Sequence, residues 1–551
     1  MARDMTSVPD GASHGSRWDA EFDVVVVGSG AGGFAAAVTA AAEDASVVVL
    51  EKAATTGGTT RKAAAWFWIL NNRFMREAGI KDPREDALRL MARMSRPAMY
   101  SPDAPHLGIP ECEFQALAAF YDNGDDAVTA LERLGALDVG SGLDFPDYAA
   151  HLEENVPKRG RVLWPAAAGG GQSGGEEMIQ RFERAADRLG VQVRTSTPVV
   201  DIVVEDGAVT GVVAGGTGGG RIRARQGVVF ATGGFTHNAR LRREFLRGPY
   251  VGGCAAVTNT GDFLPLAQSV GAELANMQHA WSTPIVIERV QRDPRGVAGS
   301  FVLPGDGMVL VNRSGVRAVN EKAVYHELTH AFFAWDTRRL QYPNLPLIAI
   351  WDEPVATGCA GSDFGNPVPP PGVDGYWVVT ADDLPGLARE IDRKLEQLGL
   401  PADHDALAPD FDDNLACTLE RFRGFAETGV DRDFHRGETP IELALAATFG
   451  GDGPNPTLRA LNPTGPYYAT VLGPGTLDTK GGPRVDVHGR VLRHDGTPVE
   501  GLYGVGNCVA SPSAEAYWAG GATIGPILCF AHLLGKHVAQ RRPVRGGSGR
   551  S

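Results

Sequence analysis

The 551-residue sequence has six cysteines and no Cys-x-x-Cys pair among them. Cys112, Cys254, Cys359, Cys417, Cys508 and Cys529 are scattered, which argues against a disulfide framework or a cysteine-built metal site and suits reduced thiols that pack inside a cytoplasmic protein. No apolar run reaches the length of a membrane span, and Met1 to Ala20 has no apolar signal core, so neither a transmembrane segment nor a secretory leader is expected. Basic residues are outnumbered 52 to 66, for a net charge of -14, and no basic face or run stands out. A nucleic-acid partner is set aside on that ground. The apolar share of 43% and the charged share of 21% are those of a globular chain long enough for two or more domains. Fraying is expected only at residues 1–17 and 544–551.

Glycine is abundant, at 71 residues, and three glycines near the start carry a pattern. Asp23 to Val27 is a short β-branched run suited to a strand buried on both faces. Gly28, Gly30 and Gly33 follow at the dinucleotide-fingerprint spacing, then an alanine-rich helix over 35–42 and a second strand ending at Glu51. Gly28 permits the tight turn, Gly30 lets backbone approach a pyrophosphate, and Gly33 lets the helix lie against the strand. The helix N-terminus favours negative charge, and Glu51 is placed to accept hydrogen bonds from an adenosine ribose. Both NAD and FAD use such a unit.

Further along, helical periodicity is expected over 83–94, 114–137, 176–189 and 384–398, with a proline-bearing surface insertion at 97–110 between the first two. Short strands are expected over 191–195, 199–204, 209–214 and 222–230, broken by Asp206-Gly207 and by the glycines of 215–220.

The acidic Glu51, then Gly57-Gly58-Thr59-Thr60 and the apolar segment Ala63 to Asn72, resembles the FAD-containing fumarate reductase and 3-ketosteroid dehydrogenase superfamily. The resemblance extends over nearly the whole chain through Val228 to Phe235, Pro466-Tyr467-Tyr468-Ala469, Gly501 to Asn507 and Gly520 to Pro526. It implies an α/β fold, with a Rossmann-like FAD-binding domain in two parts (1–272 and 454–551) around an inserted α+β catalytic domain (273–453). It also implies FAD contacts from Gly28, Gly30, Ala31, Gly33, Glu51, Lys52, Gly58, Thr59, Thr60, Ala231, Thr232, Gly233, Gly506, Asn507, Thr523 and Ile524. The helix opening near Thr523 would face the flavin pyrimidine edge. No histidine follows Gly57-Gly58, where covalently flavinylated members carry one, so noncovalent FAD is implied.

Three segments separate the branches of that superfamily. Tyr325 stands four positions after Glu321, where fumarate reductase-like members place an arginine acid and ketosteroid dehydrogenases a tyrosine. Tyr517 and Gly521 match the tyrosine and glycine that hold the substrate carbonyl in ketosteroid dehydrogenases, with Trp518 and Ala519 in place of the usual prolines, and no His-Gly-x-x-Arg clamp is present. Tyr148, in Phe145-Pro146-Asp147-Tyr148, resembles the family's supporting tyrosine. Tyr468 and Thr470 resemble the hydrogen-bond relay of Δ4-(5α)-dehydrogenases.

The resemblance therefore implies an enzyme that desaturates the bond next to a ring ketone, with a steroid-like ketone as substrate and an unidentified electron acceptor as partner. Desaturation at another ring position, or of a non-steroid cyclic ketone, is the near alternative, and a fumarate reductase-like enzyme the farther one. His326-Glu327-Leu328-Thr329-His330 is formally a His-Glu-x-x-His zinc pattern. No metal is expected there, because the segment begins one residue after Tyr325 inside a flavoprotein pattern and no third ligand accompanies it.

Overall fold

The computed structural model describes residues 17–171, 173–295, 299–361, 367–401 and 404–542, the side chains of 447–449 excepted. The expected frayed ends lie outside this range except for Arg17. Strand Ala20–Val27, helix Ala31–Ala42 and strand Val47–Leu50 form the βαβ unit, and the two strands pair in parallel. Val24 to Val27 are all buried because the sheet is covered on both faces, which is why the run does not alternate.

The strands of this first sheet run in the order 490–492, 498–504, 220–230, 20–27, 47–50 and 192–194, and the hairpin 199–214 joins the long strand Gly220–Phe230. Helix Ile524–Ala539 crosses the alanine-rich helix closely: a Cβ on Gly535 would lie 2.8 Å from the Ala36 carbonyl oxygen. The helices expected from periodicity occur at Arg84–Ser95, Glu111–Arg133, Gly174–Arg188 and Leu384–Leu398.

A second sheet is organised around the long strand Tyr467–Thr479. Its first half pairs antiparallel with Leu347–Asp352 and Val378–Ala381, its second half with Ala280–Val286. This strand follows residue 453 in the chain, yet it is the centre of a sheet whose other strands include those three from 273–453. The Thr479 end approaches the first sheet, where the Asp478 carboxylate accepts from the Gly234 N–H at 2.9 Å and the Asn259 side chain at 2.7 Å.

None of the six cysteines is in a disulfide. Four are buried as expected, whereas Cys112 and Cys417 are exposed. Among the described residues no helix is long and apolar enough to cross a membrane.

Candidate active site

A cavity of about 840 Å³, its open mouth included, lies over the C-terminal ends of the parallel strands, where open α/β sheets place their ligands. It is lined by Gly28, Gly30, Ala31, Glu51, Lys52, Gly58, Thr59, Thr60, Ala231, Thr232, Gly233, Gly506 and Asn507. Gly28 has φ +102°, and a Cβ there would sit 2.4 Å from the Ala231 carbonyl oxygen. Gly33 is not in the lining. It packs the helix instead, since a Cβ on it would lie 2.0 Å from the Gly28 carbonyl oxygen.

The Glu51 carboxylate accepts from the Ser29 N–H at 3.1 Å, the Ser29 hydroxyl at 2.7 Å and the Ala53 N–H at 2.8 Å. A carboxylate has about four acceptor positions, so about one remains for a ligand. The Lys52 ammonium donates to Asp262 at 2.6 Å and to Thr260 at 2.8 Å. Thr232 Oγ1 is buried with no hydrogen-bond partner, a donor left for a ligand in a site built for one. Glycine cradle, helix N-terminus, ribose-side carboxylate and orphan hydroxyl together fit FAD.

Thr523 and Ile524 depart from the expected contacts. Neither lines this cavity. Thr523 lines a second cavity beside it, with its buried Oγ1 against the Tyr517 hydroxyl. The sequence reading missed Ser29, Asn259, Asp262 and Asp478, which line the first cavity. Ser29 is the variable position between Gly28 and Gly30, while the other three sit outside the fingerprint and only the fold brings them to it.

Three tyrosines from distant segments meet near one end of the cavity. The Tyr148 hydroxyl donates to the Tyr325 oxygen at 3.0 Å. Ring centroids are 5.8 Å apart for Tyr148 and Tyr325, 5.8 Å for Tyr148 and Tyr517, and 5.4 Å for Tyr325 and Tyr517. Trp281 connects the cluster to the cavity: its ring lies edge-on to Tyr517 at 4.9 Å, and its Nε1–H donates to Asn507 at 3.1 Å. Burial, with the two neighbouring phenols next, pushes Tyr325 well above the usual value of a phenol. Burial also raises Tyr148 and Tyr517. A cavity of about 350 Å³ opens beside Tyr325, lined also by Phe301, Lys322 and Leu328.

Gly521 lies four residues beyond Tyr517, with φ +90°. Its carbonyl accepts from the Trp68 N–H at 3.1 Å and the Gly525 N–H at 2.9 Å, while its own N–H has no partner among the described residues.

Tyr468 does not join them. Its hydroxyl donates to the Glu353 carboxylate, its ring stacks on Trp351, and Thr470 donates to the Trp377 carbonyl. Ten residues of strand separate Tyr468 from Asp478, roughly 30 Å at the rise of a β-strand. The relay expected of Tyr468 and Thr470 is therefore corrected: both belong to the packing at the far end of the second sheet.

His326 uses both ring nitrogens on backbone, accepting from the Ser282 N–H at 3.1 Å and bonding the Glu515 carbonyl at 3.0 Å. The tautomer with hydrogen on Nε2 satisfies both contacts. Burial lowers this histidine to about 3, so the ring stays neutral and its neighbour His330 faces outward. Lys480, also missed from the sequence, is fully buried beneath Trp281, its ammonium 3.9 Å from the ring centroid and bonded to the Ala514 carbonyl at 3.1 Å.

The position of Tyr148 rests on a buried ion network. The Arg161 guanidinium bonds Asp147 at 2.6 Å, Asp82 at 2.6 and 2.8 Å, and Asn155 at 2.9 Å. Asp147 also accepts from the Trp68 indole at 2.9 Å, and Arg161 is fully buried. Arg161→Met leaves two carboxylates without their cation and is expected to cost about 3–5 kcal/mol of stability. Chemical denaturation measures it, and an unchanged midpoint would show that the network carries no such load.

The chain as a whole is similar to known proteins. The model of the family described as FAD binding domain matches residues 23–524. The chain is 32% identical to a 3-oxosteroid 1-dehydrogenase of Mycolicibacterium smegmatis, over 94% of this chain and 97% of that one. It is 33% identical to a 4-oxocyclohexanecarboxylate 2-dehydrogenase of Sinomonas cyclohexanicum, over 94% and 93%. The crystal structure of a 3-ketosteroid Δ1-dehydrogenase from Sterolibacterium denitrificans, in complex with 1,4-androstadiene-3,17-dione, superposes with a TM-score of 0.77 at 25% identity, over 94% of this chain and 99% of that one.

FAD is expected to be released by denaturation and ultrafiltration, and Gly33→Ala to purify without it, because the added methyl would push the helix off the phosphate turn. Flavin absorbance in filtrate and protein reads both effects. Colour that stays with the unfolded chain would contradict the first expectation, and a yellow Gly33→Ala protein the second. With its cavity, fingerprint and relatives in agreement, the chain belongs to the FAD binding domain family, as a FAD-dependent oxidoreductase related to the 3-oxosteroid dehydrogenases.

Proposed function

We propose that the protein introduces a carbon–carbon double bond next to a ring ketone, with 1,2-desaturation of a 3-ketosteroid as its reaction. The observation that carries this reading is the meeting of Tyr148, Tyr325 and Tyr517 beside Trp281, at the edge of the FAD cavity. Bound FAD supplies the acceptor for two electrons and a proton. Tyr325 is the base for the proton on the carbon next to the ketone, and the Tyr148 hydroxyl, bonded to the same oxygen, holds it in place. The Tyr517 hydroxyl and the Gly521 N–H hold the ketone oxygen, where negative charge grows as the proton leaves.

The division of labour between domains supports the same reading. Tyr148 and Tyr517 come from the two FAD-binding parts, Tyr325 from the inserted α+β unit of 273–453, and strand Tyr467–Thr479 completes the sheet of that unit. With Tyr468 remote, nothing specific favours desaturation in the manner of a Δ4-(5α)-dehydrogenase. A cytoplasmic location is supported by six cysteines none of which is in a disulfide.

A monocyclic ring ketone is the second reading. Two observations favour it: the 33% identity to a dehydrogenase of 4-oxocyclohexanecarboxylate, and the modest cavity beside Tyr325, about 350 Å³. Anaerobic mixing of the holo-protein with a panel of 3-ketosteroids and monocyclic ketones, followed by flavin absorbance, separates them. Bleaching by steroids alone upholds the first reading, bleaching by monocyclic ketones alone the second, and bleaching by neither would sink both.

A further inference from the structure

A second cavity, about 790 Å³ with its mouth, adjoins the first and shares Val505, Gly506, Asn507 and Ile527 with it. Its inner end reaches Trp281, Ala522 and Thr523, and none of Gly28, Glu51 or Lys52 lines it. It therefore abuts the flavin end of the cofactor cavity, not the adenosine end. None of the three tyrosines lines it either; Trp281 and Thr523, which do, stand between it and Tyr517. Its mouth opens on another side, at Cys112, Glu113, Arg484 and Asp486.

Each charge at that mouth is already paired. Glu113 is bonded by Arg96 at 2.7 Å, Arg484 by Glu273 at 3.0 Å, and Asp486 by Arg490 at 2.6 Å. The deeper walls are apolar, from Val505, Val509, Pro526, Ile527 and Phe530. A pocket of this size with compensated charges and apolar walls suits an uncharged, drug-sized ring, because a charged ligand would lose its hydration without gaining a counter-ion.

We propose that this cavity, whose mouth is separate from the tyrosine cluster, is the entrance and binding site of the electron acceptor, an uncharged two-electron oxidant of the quinone class. The proposal rests on the FAD reading above. The acceptor takes up two electrons and two protons, its two carbonyls become hydroxyls, and these match the two hydrogens lost by the substrate. Separate entrances leave the ketone side free while the acceptor reacts.

The test uses holo-protein and duroquinone. Ala116→Trp narrows the mouth from helix Glu111–Arg133. Labelling the exposed Cys112 with N-phenylmaleimide in a Cys417→Ser background narrows it without a new core residue. Protein reduced with dithionite is mixed with duroquinone to follow flavin reoxidation, and duroquinone binding to the oxidised protein is measured by equilibrium dialysis. Both alterations are expected to slow reoxidation and weaken binding about tenfold or more, with FAD content and reduction by the ring ketone unchanged. Anionic ferricyanide is expected to show no such dependence. Unchanged reoxidation and binding in both proteins would overturn the proposal, as would loss of FAD from either, which would make the cavity part of the cofactor site. A parent protein that takes up no FAD would instead overturn the cofactor reading beneath it.

Discussion

Tyr325→Phe is expected to slow flavin reduction by the ring ketone about 10²–10⁴-fold and to leave ketone binding largely intact. The ring remains and packs as before against Tyr148, Tyr517 and Phe301, whose centroid lies 5.1 Å away, while the proposed proton acceptor is gone. The pH profile tests the same assignment. Burial and the adjacent phenols push Tyr325 well above the ordinary phenol value, which is about 10. A raised value means the neutral, non-basic form dominates across the neutral range and the reactive anion appears only as pH rises. Reduction should therefore accelerate about tenfold per pH unit and show no plateau below about pH 10. Tyr148, raised by its own burial, keeps its hydrogen throughout this range and remains the donor to Tyr325. Tyr148→Phe removes the hydroxyl bonded to the Tyr325 oxygen and should slow reduction. Anaerobic stopped-flow reduction and equilibrium binding measure all of this. A Tyr325→Phe protein reduced at the parent rate, or a flat profile, would place the base elsewhere.

What could be read from the sequence was what neighbouring residues decide. The fingerprint glycines, the β-branched run before them and Glu51 sit within one βαβ unit, so spacing alone located the cofactor turn. Helix 384–398 was equally legible, because its apolar period, its Asp383 cap and its terminal Gly399 are all local. The tyrosines could be found only as motif positions. No local rule says that Tyr148, Tyr325 and Tyr517 meet, since the contact depends on how the second sheet sits against the first. Tyr468 shows the converse error: a plausible local motif lies on the correct strand but at its far end, and distance along a strand is invisible to a short pattern. Thr523 was placed at the right helix end yet lines the neighbouring cavity. Asp478 and Lys480 gave no signal, because an acidic or basic residue in a buried strand end looks like any other until its partners are known.

Tyr517→Phe is expected to lower kcat about 10²–10³-fold with little change in KM. Tyr517 is 6% exposed and is held on four sides by rings, Trp281, Tyr325, His326 and Tyr148, at centroid distances of 4.9, 5.4, 5.7 and 5.8 Å. Its hydroxyl has little freedom to reorient, so it is fixed before the reaction begins. Burial raises its ionisation value, which keeps its hydroxyl a donor in the proposed oxyanion site. In the proposed oxyanion site Gly521 would supply the second donor, and its geometry requires glycine: at φ +90° a side chain would be strained, and a Cβ would lie 2.6 Å from the Phe67 backbone nitrogen. Gly521→Ala must therefore displace the loop, rotate the N–H away from the ketone, and lose at least as much kcat as Tyr517→Phe. The double variant should lose less than the sum of the two in free energy, because both donors serve one oxygen. Full additivity would show that the two act at separate places, and near-native kcat in Tyr517→Phe would remove the hydroxyl from the oxyanion site altogether.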